Sequence, residues 1–101
     1  MRRGAIEYCV LALLLSEDRY GFSIVRTLSE ADGLVTSEGT VYPLLNRLRN
    51  DGLVDTYVRS SADGPDRRYY RITKEGKIAL RSFLIQWNRF RNSVDELLGV
   101  R

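Results

Sequence analysis

Apolar residues recur at helical spacing along most of the chain, and the clearest stretch lies near its middle. Between Ser37 and Asn50, Val41, Leu44, Leu45 and Leu48 fall at i, i+3, i+4 and i+7, the stripe that one helix buries against a core. The opposite face has no large apolar group. It carries Gly39, Pro43, Asn46 and Asn50, with Thr40 and Arg47 on one flank and Tyr42 and Arg49 on the other. Ser37 is placed to cap this helix and Asn50-Asp51-Gly52 to stop it. Pro43 removes an N–H well inside it, which predicts a loosened first turn or a helix starting later than Ser37.

The flanking segments predict its supports. Ala5 to Leu15 forms a first helix with apolar residues on almost every side, more than a monomer of this length easily buries, so part of it is expected to meet another subunit. Asp18-Arg19-Tyr20-Gly21 is a connector. A second helix follows from Phe22 to Ala31, with Ile24, Val25, Leu28 and Ala31 on its core face; Asp32-Gly33 closes it and Leu34-Val35 is a short extended piece. After Gly52 the period changes to two. Val54, Thr56 and Val58 alternate with Asp55, Tyr57 and Arg59, Ser60 to Asp66 supplies turn chemistry, and Arg68, Tyr70 and Ile72 alternate with Arg67, Tyr69 and Arg71, which predicts a β-hairpin.

Thr73 then caps a last helix running to about Leu98. Its apolar residues Leu80, Phe83, Trp87, Phe90, Val94 and Leu97 make a heptad seam. The seam extends past what one small domain covers, so it is expected to pair with its copy in a two-fold dimer; the competing arrangement folds the helix back on its own domain. The fold class is therefore mainly α with a small β-hairpin (α+β): a winged helix-turn-helix domain over residues 1–73 and a C-terminal dimerisation helix over residues 74–101.

That architecture gives the polar face of the third helix a meaning. Gly39 and Thr40 offer close approach, and Asn46 and Arg47 polar reach, to base edges in a major groove. A hairpin following such a helix is a wing whose arginines sit on flanking phosphates. The bland alternative is an ordinary amphipathic helix with a solvated hairpin. Composition adds moderate support. At 101 residues and 44% hydrophobic the chain is one domain with a modest core. Its net charge of +3 is carried by the segment from Tyr57 to Lys77, where Arg59, Arg67, Arg68, Arg71, Lys74 and Lys77 face Asp63, Asp66 and Glu75. Fourteen of its sixteen basic residues are Arg, which suits bidentate phosphate and guanine contacts; a GC-rich genome would give the same bias.

With no His and a single Cys, the chain has neither a Cys/His zinc site nor an intramolecular disulfide, and no metal or cofactor is expected. Cys9, inside the apolar run from Tyr8 to Leu15, is expected in the core, with a reactive thiol as the alternative. Met1-Arg2-Arg3 and that run mimic a signal peptide, but Glu7 interrupts it, no cleavage site follows and Ser16-Glu17-Asp18-Arg19 ends it, so a mature cytoplasmic protein is expected. No Gly-rich phosphate loop or nucleophile motif is present, which argues against an enzyme.

Four pieces of the chain together resemble the PadR family of bacterial transcriptional regulators. They are Arg19-Tyr20-Gly21-Phe22-Ser23-Ile24, the run from Ser37 to Leu48, Asp51-Gly52-Leu53-Val54, and Arg67-Arg68-Tyr69-Tyr70-Arg71-Ile72-Thr73-Lys74-Glu75-Gly76. The likeness is to the subgroup with a single short C-terminal helix. It implies a winged-helix homodimer that represses transcription from a palindromic DNA operator and lets go when a small effector binds. The reading role would fall to Ser37, Thr40, Tyr42, Pro43, Asn46 and Arg47, with Arg49 on the flank of the same face and Arg59, Arg67 and Arg68 contacting DNA from the wing; Tyr70 and Ile72 would pack the hairpin onto the body. Some relatives hold flat aromatic molecules between their C-terminal and first helices, which points to Phe83, Trp87 and Phe90 as effector contacts, with plain interface core as the alternative. A winged-helix module that binds protein instead of DNA, and a regulator without an effector, are the rival functions.

Overall fold

The computed structural model describes residues 2–31 and 37–100; the expected helix stop at Asp32-Gly33 and the extended piece at Leu34-Val35 lie outside them. The elements run in the order α1 (Arg2–Ser16), β1 (Arg19–Tyr20), α2 (Gly21–Glu30), α3 (Glu38–Asn50), β2 (Val54–Arg59), β3 (Arg67–Ile72) and α4 (Lys74–Leu98). The apolar stripes of the first three helices converge: Ile6, Val10, Leu11 and Leu14 of α1, Ile24, Val25 and Leu28 of α2, and Val41, Leu44, Leu45 and Leu48 of α3 meet Val54, Tyr70, Ile72 and Leu80 in one core. Each fully buried Leu or Ile stabilises the fold by about 1.5–3 kcal/mol. Burial of α1 is incomplete within the chain, as its apolar residues on almost every side led us to expect. Ala12 and Leu15 are exposed, because within one chain the core reaches only one face of the helix.

Ser37 precedes α3 in extended conformation, and its carbonyl accepts the N–H groups of both Thr40 and Val41, at 3.0 and 2.9 Å. The helix thus starts one residue after Ser37 and runs unbroken through Pro43 to Asn50. The missing proline donor would have served the carbonyl of Gly39, which is exposed and can be solvated instead.

The hairpin has the expected alternation, with Val54 opposite Ile72, Tyr57 opposite Tyr69 and Arg59 opposite Arg67. Tyr70 and Ile72 face the core, as expected. The supposed connector is corrected: Arg19 and Tyr20 form a third strand on the other edge of β3, pairing antiparallel with Tyr70 and Tyr69, so the sheet order is β1-β3-β2. A strand of two residues has no period to detect.

The start of α4 is fixed against the end of α3. Thr73 is its N-cap, accepting from the Gly76 N–H at 3.0 Å, and the same hydroxyl donates to the Gly52 carbonyl at 2.7 Å. A Cβ on Gly76 would overlap the Leu53 carbonyl, so only glycine permits this approach. From there α4 runs 25 residues, about 37 Å at the usual rise. The radius of gyration of 15.3 Å, above the roughly 13 Å of a compact chain of this length, reflects its projection beyond the body.

Candidate nucleic-acid interface

The stripe that anchors α3 leaves its other face free. Ser37, Thr40, Tyr42, Pro43, Asn46 and Arg49 are all exposed, as a helix presented to a partner requires. Arg47 departs from this pattern. Its guanidinium forms an ion pair with Glu7 of α1, and the two side chains are 36% and 24% exposed. The flank of α3 that carries Arg47 faces α1, so this side chain is turned from the outer face toward the body.

Tyr42 is held differently. Its ring lies against the start of α2, where a Cβ on Gly21 would come within 2.6 Å of its Cε1. Burial, then the nearby Glu38 charge and Tyr70, push its hydroxyl above the ordinary tyrosine value, so it stays a neutral donor at physiological pH.

The outer face of the sheet carries a cross-strand ladder of tyrosines. Tyr20, Tyr69 and Tyr57 stand in register on β1, β3 and β2, with ring centroids 5.8 and 5.7 Å apart. Arginines lie over all three rings: Arg67 over Tyr20 at 4.7 Å, Arg59 over Tyr69 at 4.5 Å and Arg71 over Tyr57 at 5.4 Å. Such stacking limits the freedom of a guanidinium without neutralising it. Arg71 is also partnered by Asp55 at 3.8 Å. Tyr57 donates to Asp18 at 2.6 Å, and this hydrogen bond is the main cause of its raised pKa. Arg68, on the other face of β3, is exposed.

These elements converge. A shallow cleft of about 330 Å³ is lined by Tyr20, Gly21 and Phe22 at the start of α2, Tyr42 of α3, and Arg67, Arg68 and Tyr70 of β3. The cleft joins the first turn of α2, the outer edge of α3 and the first half of β3. Sequence reasoning took Tyr20 and Gly21 as connector and Phe22 as the start of a helix, with no part in the interface; the available signal was their place in the Arg19–Ile24 piece that carries the family resemblance.

A second cavity, of about 550 Å³, lies between α1 and α4, with Gly4, Tyr8, Ser82, Phe83, Gln86 and Trp87 in its walls. Tyr8 and Phe83 stack at 4.0 Å, nearly parallel, and Trp87 and Phe90 continue the aromatic row at 5.8 and 5.9 Å. Phe83 and Trp87, expected at an effector site, line this cavity; Phe90 stands behind Trp87, outside it. The expected dimer seam divides here. Leu80 is 4% exposed and belongs to the chain's own core, whereas Phe90 and Leu97 are 45% and 87% exposed. Trp87 and Val94 are partly covered. Cys9 is half-buried against the core, and burial raises its thiol pKa, which makes it a poor nucleophile. Among the described residues no helix is long and apolar enough to cross a membrane.

The profile of the transcriptional regulator PadR-like family matches residues 10–82. A transcriptional regulator of Mycobacterium tuberculosis is 37% identical over 79 residues, covering 78% of this chain and 72% of that protein. Among solved structures, a PadR-like transcriptional regulator from Bacillus cereus superposes with a TM-score of 0.87 at 33% identity, covering 97% of this chain and 95% of the other. A PadR family regulator from Eggerthella lenta gives 0.83 at 34% identity, covering 99% and 87%. The three-helix body, the three-stranded sheet with its wing and the long last helix are thus shared along nearly the whole chain. The protein belongs to the PadR-like family of transcriptional regulators, a family of winged helix-turn-helix proteins and not of enzymes.

Proposed function

We propose that the chain is a cytoplasmic repressor that binds a palindromic operator as a homodimer and releases it when a flat aromatic molecule enters the α1–α4 cavity. The observation that carries the DNA part is the cleft where Tyr42 of α3, Arg67 and Arg68 of the wing, and the start of α2 come together. In this arrangement Ser37, Thr40, Pro43 and Asn46 face base edges, Tyr42 and Arg49 flank them, and Arg59, Arg67 and Arg68 hold phosphates. Residues 1–73 do the binding and residues 74–101 hold two copies together through Phe83, Trp87, Phe90, Val94 and Leu97. The two reading helices then enter successive major grooves about 34–36 Å apart. The cavity between α1 and α4 is of a size that takes drug-like ligands, and Tyr8, Phe83 and Trp87 give it faces for stacking.

Selection of bound duplexes from a random-sequence pool tests the operator reading. Enrichment of two inverted half-sites centred about one helical turn apart is expected. A pool that shows no enrichment while retaining salt-sensitive binding would leave only phosphate contacts, and no binding at all would favour a protein-binding module. The effector part is tested separately by quenching of Trp87, the only tryptophan, with a panel of planar aromatics. A quencher that also releases the selected duplex supports it, and silence across the panel counts against it.

A further inference from the structure

α1, which walls the α1–α4 cavity, meets α3 through the shared apolar core and, among the described side chains, through one ion pair. Tyr8 lines the cavity and stacks on Phe83 at 4.0 Å. Its neighbour Glu7, about 100° further round the same helix, forms the ion pair with Arg47 in the last turn of α3. Among the described side chains, the hydrogen bonds and ion pairs that tie residues 4–18 to the proposed DNA-facing elements are this pair and the Tyr57–Asp18 bond at the far end. A helix transmits displacement as a rod, so pressure on Tyr8 moves Glu7 with it.

We propose that Glu7, acting through Arg47, is the positioning residue through which occupancy of the α1–α4 cavity changes the set of the reading helix. The proposal rests on the operator-binding reading above and names its means of regulation. With the cavity open, Glu7 holds the C-terminal turn of α3 against α1 and Asn46, one residue before Arg47, keeps its outward setting. An occupant that displaces Tyr8 shifts Glu7, and Arg47 carries the end of α3 with it. A partly exposed ion pair adds little to folding stability, so the pair can be broken without unfolding the domain and its effect read on DNA.

Gly4 supplies the probe, because it lines the cavity and a Cβ built there meets nothing within 4 Å. Gly4→Phe places a ring at the cavity as a tethered occupant, and Trp87 emission reports its arrival; should emission stay unchanged, Ala79→Phe from the opposite wall serves instead. Affinity for the selected duplex and for a scrambled one is measured by fluorescence anisotropy for wild type, Gly4→Phe, Glu7→Gln and the double variant. Gly4→Phe is expected to weaken selected-duplex binding about tenfold, within the usual range for coupled sites, with little change on the scrambled duplex. Glu7→Gln lowers selectivity by itself with little change in melting temperature, and in its background the added effect of Gly4→Phe falls below about twofold. Exchanging the charges, Glu7→Arg with Arg47→Glu, restores the response. A full tenfold effect persisting in Glu7→Gln overturns the proposal, as does an occupant that alters Trp87 emission and leaves DNA affinity unchanged. A wild-type protein that does not distinguish the two duplexes refutes the operator reading itself, and the link falls with it.

Discussion

Arg67 is the residue whose replacement most cleanly separates phosphate holding from base reading. It sits at the start of β3, exposed, with its guanidinium over the Tyr20 ring at 4.7 Å, and it lines the cleft shared with α2 and α3. Arg71 and Arg47 are less suitable, since Asp55 and Glu7 already partner them. Each neutralised phosphate contributes about 0.9 to the slope of log K against log salt. A dimer with two engaged wings loses two such contacts in Arg67→Ala, so the slope should fall by about 1.8, against about 0.9 for a single wing. Over a fourfold rise in salt the affinity gap between wild type and variant should therefore shrink about twelvefold for two wings and about 3.5-fold for one. Loss of the stacking contact costs about 0.5–1 kcal/mol at an exposed site, a few degrees of melting temperature, so the fold survives. Anisotropy titrations on the selected and scrambled duplexes, with Arg67→Lys as the charge-retaining control, supply the slopes. An unchanged slope would remove Arg67 from the phosphates, and a loss confined to the selected duplex would make it a base reader.

Four other substitutions probe three separate parts of the structure. Thr40→Ala or Asn46→Ala, both on the exposed face of α3, should cost about 1–3 kcal/mol on the selected duplex and little on the scrambled one; equal losses on both would show that this face does not read bases. Gly76→Ala forces a methyl group onto the Leu53 carbonyl, a backbone atom that cannot rotate away, so a destabilisation of about 1–3 kcal/mol or more is expected in thermal melts, and a melt unchanged from wild type would contradict the packing at this junction. Leu97→Asp alters a side chain without cover in its own chain, leaving the monomer intact; two lost burials at about 1.5–3 kcal/mol each should raise the dimer dissociation constant at least about a hundredfold in sedimentation velocity, and an unchanged sedimentation coefficient would take Leu97 out of the seam.

What the sequence made legible was whatever repeats. The α3 stripe of Val41, Leu44, Leu45 and Leu48 and the hairpin from Val54 to Ile72 repeat their periods several times, and both lie where the periods put them. Arg19-Tyr20 repeats nothing; it becomes a strand only because β3, some fifty residues later, offers an edge. The tyrosine ladder depends on that pairing, so it was invisible until β1 existed. The direction of Arg47 was illegible for a similar reason. Helical geometry puts it on the flank of α3, but its direction is decided by Glu7, a carboxylate on another helix. Local pattern locates a side chain on its element, and only the packing of elements decides which neighbour it meets.

The heptad seam of α4 shows what a regular pattern can conceal. Its spacing is uniform from Leu80 to Leu97, yet the chemistry changes along it. Leu80 is enclosed by the body, Phe83 stacks on Tyr8 of α1, and beyond Trp87 the cover thins, with Phe90 half-exposed, Val94 partly covered and Leu97 almost bare. The aromatic cavity sits at this transition, walled by α1 on one side and by the last residues of α4 that lie against the body on the other. An occupant there presses at once on the helix that carries Glu7 and on the segment of α4 leading into the proposed dimer seam. On the proposed reading, few positions in so small a fold touch both the setting of α3 and the spacing of two copies. Aromatic side chains suit such a junction, because stacked rings can slide or part to admit a flat guest while keeping most of their buried area.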